Sequence, residues 1–158
     1  MYYFKSITLI NRITIVTTIV YKDGILAGDS LICEGDNVSG YRDKIFDLDN
    51  VIIGVAGNSM LYNEFLKFIK GEAFDREAFK SPDLQFVGIV IEKTTRLVSR
   101  YDKELIKDIC DQSEPIALGS GALIARGALL MGATPRQAIE CAAKINRFTG
   151  GEIKEIKL

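Results

Sequence analysis

A threonine-rich segment and a nearby carboxylate are the first residues in the chain that could act together. Thr17 begins the run Thr-Thr-Ile-Val, and Asp29 follows a second apolar segment that comes after the turn Lys-Asp-Gly. Two short apolar segments around such a turn predict a β-hairpin. If the turn is centred on Asp23, Thr17 and Asp29 are equally distant from its centre, and we expect them to face each other. A hydroxyl and a carboxylate would then meet at one end of the hairpin.

The base for such a hydroxyl cannot be an imidazole, because the chain of 158 residues contains no histidine. This excludes Ser-His-Asp and Cys-His catalysis and any metal site that contains histidine. The three cysteines, Cys33, Cys110 and Cys141, are an odd number at wide spacing, which favours reduced thiols over a disulfide framework or a zinc site. We therefore predict no metal ion and no cofactor.

The charge and the hydropathy of the chain disfavour two classes of partner. Lys and Arg total 20 against 21 Asp and Glu, so neither nucleic acid nor an anionic membrane is expected to bind. No segment has the roughly 18 to 20 uninterrupted apolar residues that cross a bilayer. Lys5 and Arg12 interrupt the apolar N-terminal segment, which also lacks a signal-peptide cleavage site. We expect a soluble, cytoplasmic protein with one domain.

The order of predicted elements indicates the fold class. After the first hairpin, strands are predicted at 44–46, 51–56, 84–91, 95–101, 116–118 and 152–158. One helix is predicted before Gly71, a short helical turn in the linker 72–83, and two helices after Gly121 and Thr134. The apolar side of the last helix is predicted to comprise Ala138, Ile139, Ala142, Ala143 and Ile145. Strands first, one helix between strand groups and two helices before the last strand predict an α+β fold, a four-layer αββα sandwich.

A set of short motifs, in order along the chain, resembles the N-terminal threonine peptidases of the proteasome β-type and HslV-like family. The motifs are Thr17-Thr18-Ile19-Val20, Ala27-Gly28-Asp29, Lys44-Ile45-Phe46, Gly54-Val55-Ala56-Gly57, Gly119-Ser120-Gly121 and Thr149-Gly150-Gly151. Each motif alone is weak, whereas the ordered set is specific. The resemblance implies the N-terminal nucleophile (Ntn) hydrolase fold and a threonine-type endopeptidase.

The resemblance also implies roles for five residues. In that family a threonine hydroxyl attacks the peptide carbonyl while the free amino group of the same threonine takes the proton, and this role falls on Thr17. Lys44 matches the lysine whose charge favours the neutral amine, and Asp29 matches the carboxylate that orients this lysine. Ser120 matches a serine that forms hydrogen bonds near the amine. Gly57 matches the glycine whose N–H stabilises the oxyanion. An α-amino group, with an ordinary pKa of about 7.7 to 8.0, suits a chain without histidine. Taken singly, Lys44 and Asp29 would be expected to be solvated surface charges.

The position of Thr17 within the chain departs from the family pattern. A threonine whose nitrogen is in a peptide bond has no basic amine, so the full-length chain is expected to be inactive. Either residues 1–16 are a propeptide removed by self-cleavage, or translation begins at Val16 and the initiator methionine is trimmed. We favour the second, because relatives that cleave themselves have glycine before the threonine and Val16 would crowd the reaction. Thr14 is a weaker candidate for the first residue, since its pairing would miss Asp29. Residues 17–158 are then the peptidase domain.

Two further departures and two other functions stay open. The first hairpin is about four residues shorter than in the family. Removing two residues from each strand keeps Thr17 opposite Asp29. Asn146 stands where the family commonly has an aspartate, and this is expected to weaken proton handling.

The resemblance to the family also implies a homo-oligomeric ring, peptide or unfolded protein as substrate, and an ATPase unfoldase as partner. The alternatives are a non-catalytic ring-forming subunit whose extension blocks the site, and an amidase acting on small molecules.

Overall fold

The computed structural model describes residues 16–158, so the extension before Val16 and the candidate start at Thr14 lie outside the described residues. The strands are β1 (Thr18–Lys22), β2 (Ile25–Gly28), β3 (Leu31–Glu34), β4 (Asn37–Tyr41), β5 (Ile45–Asp47), β6 (Val51–Gly57), β7 (Phe86–Glu92), β8 (Val98–Tyr101), β9 (Lys107–Ile109), β10 (Ile116–Gly119) and β11 (Lys154–Lys157). The helices are α1 (Tyr62–Lys70), α2 (Ala122–Leu130) and α3 (Pro135–Ile145), with 3₁₀ turns at Ser59–Leu61 and Arg76–Lys80. All of these elements begin after Thr17.

Two antiparallel sheets form the centre of the described part of the chain. The first has the strand order β10-β1-β2-β11 and the second the order β5-β6-β7-β8-β9, while β3 and β4 form a separate hairpin. The register between β6 and β7 runs from Val51 opposite Glu92 to Gly57 opposite Phe86. β5 and β6 form the hairpin predicted around residues 47–50. Gly57 therefore ends the longest ladder of the second sheet.

Three apolar clusters separate four layers. The side chains of β1 alternate: Ile19 and Tyr21 belong to the cluster between the two sheets, whereas Val20 packs in the cluster beneath α2 and α3. On the other side, Phe65 of α1 packs in a third cluster against the second sheet. The predicted αββα sandwich is confirmed.

Several predicted helix boundaries are confirmed, and one predicted helix face is wrong in part. Gly71 ends α1 in the left-handed region, with φ 72°. Thr134 begins α3 with a capping box, in which its side chain accepts from the Gln137 N–H. Ala138, Ile139 and Ala142 are buried as predicted, but Ala143 is exposed and Ile145 is 69% exposed. The apolar face of α3 is therefore narrower than its composition indicated.

The register of the first hairpin differs from the prediction by one residue. Ile19 lies opposite Gly28, so the two turn residues are Asp23 and Gly24, both with positive φ (51° and 77°). This is the two-residue turn whose twist matches a hairpin, and its centre lies between the two residues. Thr18, not Thr17, is consequently the backbone partner of Asp29, whose N–H donates to the Thr18 carbonyl at 3.1 Å.

Strands β3, β4 and β9 were not predicted from the sequence. β4 contains Asn, Ser and Gly and is mostly exposed, and β9 is exposed throughout, so neither has the apolar alternation of a half-buried strand. Within residues 16–158 no helix combines the length and the apolar character that crossing a bilayer requires.

We expect Ile19→Ala to lower the free energy of unfolding by about 2 to 5 kcal/mol, because Ile19 is fully buried between the sheets and its removal leaves a cavity. The matched control Ile145→Ala, at an exposed position, should change it by less than about 0.5 kcal/mol. Urea denaturation of both variants measures the difference. Equal losses in the two variants would contradict the layer assignment.

Candidate active site

A buried ion pair lies where the two sheets meet. The Lys44 Nζ lies 2.8 Å from Asp29 Oδ1, and both side chains are fully buried. Asp29 directly follows β2 of the first sheet, and Lys44 directly precedes β5 of the second. The sandwich therefore brings together two charges from opposite sheets, and neither is the solvated surface charge that its residue type alone would suggest.

Each polar atom of this pair has hydrogen-bond partners. The Lys44 ammonium donates to Asp29 Oδ1, to the Leu31 carbonyl at 2.6 Å and to the Val16 carbonyl at 3.3 Å. Asp29 Oδ1 also accepts from the Thr18 N–H at 2.9 Å, and Asp29 Oδ2 accepts from the Gly150 N–H at 3.0 Å. Complete hydrogen bonding is the condition under which a buried ion pair is tolerated. Burial lowers the pKa of Lys44, and the neighbouring Asp29 carboxylate opposes this shift.

Lys44 reaches the peptide bond that precedes Thr17. The Val16 carbonyl accepts from the ammonium, and the Thr17 hydroxyl also donates to this carbonyl oxygen. The carbon of that carbonyl is bonded to the Thr17 nitrogen, so the ammonium donates to the same peptide group that contains the atom that would become the free amine. Thr17 itself is fully buried.

Ser120 holds the backbone of Thr17 from the other side. The Thr17 N–H donates to Ser120 Oγ at 3.4 Å, and the Ser120 N–H donates to the Thr17 carbonyl at 2.8 Å. This approach requires glycine at the preceding position, because Gly119 has φ 96° and a Cβ there would lie 1.9 Å from the Thr17 carbonyl oxygen. The turn between β10 and α2 thus positions the nitrogen of Thr17.

Gly57 presents its N–H at the end of β6. The Asn58 N–H donates to the Gln85 carbonyl on the β7 side, and N–H groups alternate along an antiparallel ladder, so the Gly57 N–H points away from β7. On the other side of β6, Val55 bonds to Lys44, just beyond the start of β5. The Gly57 N–H therefore lies on the β5 side of β6, past the end of β5. With φ 118° and a Cβ position 2.2 Å from the Gln85 carbonyl oxygen, this residue must be glycine.

Tyr62, which belongs to none of the sequence motifs, also lies in the site. Its hydroxyl lies 3.5 Å from Thr17 Oγ1 and donates to the Gly57 carbonyl at 3.2 Å. The side chain is buried, and this burial raises the pKa of Tyr62 to about 12, while the hydrogen bond with Thr17 and the field of the Arg42 guanidinium oppose the shift. The only signal in the sequence was a phenol three residues before Phe65, on the buried face of a helix, where a hydroxyl requires a partner.

Asn146 takes no described part in the site. Its side-chain oxygen accepts from the Phe148 N–H at 2.8 Å and so closes the turn after α3. The C-terminal motif contributes instead through Gly150, which donates to Asp29, and through Thr149, whose hydroxyl lies 2.6 Å from that of Thr18. Of the predicted residues, Thr17, Asp29, Lys44 and Ser120 are linked by hydrogen bonds through the Val16–Thr17–Thr18 backbone, and Gly57 is linked to Thr17 through Tyr62. Within residues 16–158 no group of three or more His, Cys, Asp or Glu could hold a metal ion.

Three solved structures have a fold similar to that of this chain. The chain matches BPH of Thiobacillus denitrificans with a TM-score of 0.66 and 16% identity, over 90% of this chain and 96% of that chain. The same protein in complex with epoxomicin gives a TM-score of 0.66 and 16% identity, over 90% and 97% of the two chains. Eukaryotic HslV from Trypanosoma brucei gives 0.60 and 19%, over 90% and 99% of the two chains. Family models and the sequences of curated proteins give no match. At these identities the likeness establishes the fold.

We expect Lys44→Met to lower the free energy of unfolding by about 3 to 5 kcal/mol, because it leaves the Asp29 carboxylate buried without its counter-charge. The control is Lys154→Met, which removes an ion pair with Asp43 whose side chains are 48% and 61% exposed. Its cost should be below about 1 kcal/mol. Similar small losses in urea denaturation of the two variants would show that the Lys44–Asp29 pair is solvated.

The raised pKa of Tyr62 predicts a loss of stability at alkaline pH. An unfolded phenol ionises near 10.0 whereas the folded one ionises at about 12, so between these values the unfolded state releases its proton first. Stability from this group is complete below pH 10 and falls by up to about 1.4 kcal/mol per pH unit above it. Urea denaturation at pH 9 and pH 11 should show a smaller decrease in Tyr62→Phe than in the parent chain. The same decrease in both proteins would contradict the burial of this hydroxyl.

Proposed function

We propose that the chain is a threonine-type endopeptidase subunit in which Thr17, once it is the first residue, is the nucleophile. The observation that carries the proposal is the Lys44 ammonium, which is paired with Asp29 and donates to the carbonyl that is bonded to the Thr17 nitrogen. A free amine at this nitrogen would lie beside a buried positive charge. Both this charge and burial favour the neutral form of the amine, which is the form that acts as a base.

The proposed reaction proceeds through an ester. The Thr17 amine takes the proton of Oγ1 as Oγ1 bonds to the substrate carbonyl carbon, and the Gly57 N–H donates to the resulting oxyanion. The peptide C–N bond then breaks, and the leaving nitrogen takes the proton from the α-ammonium. Water attacks the ester with the amine again as base, the C–Oγ1 bond breaks, and the proton returns to Oγ1.

The other residues keep these groups in place. Asp29 holds Lys44 and the Thr18 N–H together, which fixes the backbone next to the nucleophile. Ser120 Oγ lies 3.4 Å from the Thr17 nitrogen and can accept from the free amine or from the ammonium. Fixed groups of this kind favour the transition state without reorganisation during the reaction.

We also propose a homo-oligomeric ring in the cytoplasm that degrades peptides or unfolded proteins with an ATPase unfoldase. Support comes from the fold likeness to an HslV and, for the compartment, from the three cysteines, which form no disulfide. A non-catalytic ring-forming subunit is the second candidate. It is favoured by the burial of Thr17 and by its nitrogen being part of a peptide bond in the full-length chain.

We expect a chain that begins at Thr17 to cleave unfolded peptides, because only this form has a free amine. Such a chain can be released from a cleavable fusion, and circular dichroism verifies its fold. Thr17→Ala should reduce the cleavage rate by roughly a thousandfold or more, and the full-length chain should be equally inactive. Epoxomicin is the probe of the nucleophile, and its adduct should appear by mass spectrometry on the peptide that starts with Thr17.

Four outcomes separate the candidates. Cleavage that survives Thr17→Ala, or a folded Thr17 chain without cleavage or adduct, would contradict the peptidase. Hydrolysis restricted to small amides would favour an amidase. Intact-mass measurement on protein from the native host decides whether Thr17 becomes the first residue, and persistence of residues 1–16 would favour the non-catalytic subunit.

A further inference from the structure

We propose that Tyr62 is a catalytic residue of this site, whose phenol donates a hydrogen bond to Thr17 Oγ1 whenever that oxygen carries negative charge. Negative charge develops there as Oγ1 attacks the substrate and again as the ester bond to Oγ1 breaks. The inference rests on the proposed function, because it takes Thr17 as the nucleophile.

The Tyr62 hydroxyl has two acceptors within reach. It donates to the Gly57 carbonyl at 3.2 Å and lies 3.5 Å from Thr17 Oγ1. While Thr17 keeps its own proton, the phenol donates to Gly57, and its lone pair can accept from the Thr17 hydroxyl. When the amine has taken that proton, Oγ1 becomes the stronger acceptor, because hydrogen bonds to charged oxygens are roughly twice as strong. Rotation about the phenol C–O bond then directs the Tyr62 hydrogen to Oγ1.

One short segment of the chain positions both the Tyr62 phenol and Gly57. The segment from Gly57 to Tyr62 contains the 3₁₀ turn Ser59–Leu61, whose N-cap Asn58 accepts from the Met60 N–H. Tyr62 is the first residue of α1 and is 1% exposed, within the cluster that contains Leu61 and Phe65. A short, capped connection thus fixes the distance between the proposed oxyanion donor and the phenol. The phenol requires no movement of the backbone to serve Oγ1.

Tyr62 acts as a donor and not as the base. With a pKa raised to about 12 by burial, the phenol is neutral at physiological pH and does not take the proton of Thr17. The proton moves from Oγ1 to the α-amine, and Tyr62 ends each step with the proton that it began with. A hydrogen bond to a charged oxygen corresponds to an effect of roughly 10- to 100-fold on the rate.

The test is Tyr62→Phe in the chain that begins at Thr17. The expected result is a kcat lowered roughly 10- to 100-fold with KM within twofold of the parent, because the bond forms in the transition state and not with bound substrate. Tyr101→Phe is the matched control, since Tyr101 packs against Phe65 at 5.5 Å in the same cluster. Its kcat should stay within twofold of the parent. Thermal unfolding of both variants verifies that each is folded at the assay temperature.

The possible failures are distinguishable. A kcat for Tyr62→Phe within twofold of the parent overturns the role of Tyr62 and leaves the peptidase intact, as does a rise in KM without a change in kcat. A folded parent chain without Thr17-dependent cleavage overturns the proposed function and this inference with it.

A second variant keeps the test decisive if Tyr62→Phe does not fold. Fluorinated tyrosine at position 62 retains the hydroxyl but lowers the pKa of the phenol, and a phenolate cannot donate. The kcat of this variant should fall with rising pH at a lower pH than in the parent. The charged groups that act on the phenol, Asp29 and Arg42, are the same in both proteins. Identical pH profiles overturn the proposal.

Discussion

The structure of the site depends on the burial of one ion pair. Removing Lys44 and Asp29 from water costs several kcal/mol for each ion, and only close pairing with complete hydrogen bonding offsets this cost. The partners come from distant parts of the chain: the β1 start (Thr18), the β3 start (Leu31), the segment before Thr17 and the turn before β11 (Gly150). All hydrogen bonds of the ion pair are therefore formed only when both sheets and the C-terminal turn are assembled. The site forms together with the fold.

The same constraint positions the proposed reacting groups. Because Lys44 is held by Asp29 and Leu31, its remaining donor is directed to the peptide bond of Thr17. Gly119 permits Ser120 to approach the Thr17 backbone, and Gly57 ends β6 in a conformation that other residues rarely adopt. The Tyr62 hydroxyl links Gly57 to Thr17, because it donates to the Gly57 carbonyl and lies within reach of the Thr17 hydroxyl. Thr17, which carries both the proposed nucleophile and the proposed base, and Gly57, the proposed oxyanion donor, thus lie in separate parts of the chain that share one network of hydrogen bonds.

Much of the fold followed from the sequence, and the exceptions have physical causes. The continuous apolar run of β6 and the caps Gly71 and Thr134 are local signals, and they predicted elements correctly. The predicted register of the first hairpin was wrong by one residue. The centre of the turn depends on which two residues adopt positive φ, and composition alone does not determine this. The burial of Lys44 could be predicted only from the family resemblance, since a lysine taken alone predicts an exposed side chain. Tyr62 was missed because its hydroxyl gains a role only from the tertiary position of Thr17, 45 residues away.

The pKa of the Thr17 amine tests the central claim most directly. In a folded chain that begins at ¹⁵N-labelled Thr17, NMR titration of the amine nitrogen gives this value, and a short unfolded peptide with the same first residues provides the reference. We predict a pKa below that of the peptide, because burial and the Lys44 ammonium both favour the neutral amine. A pKa equal to or above that of the peptide would contradict it.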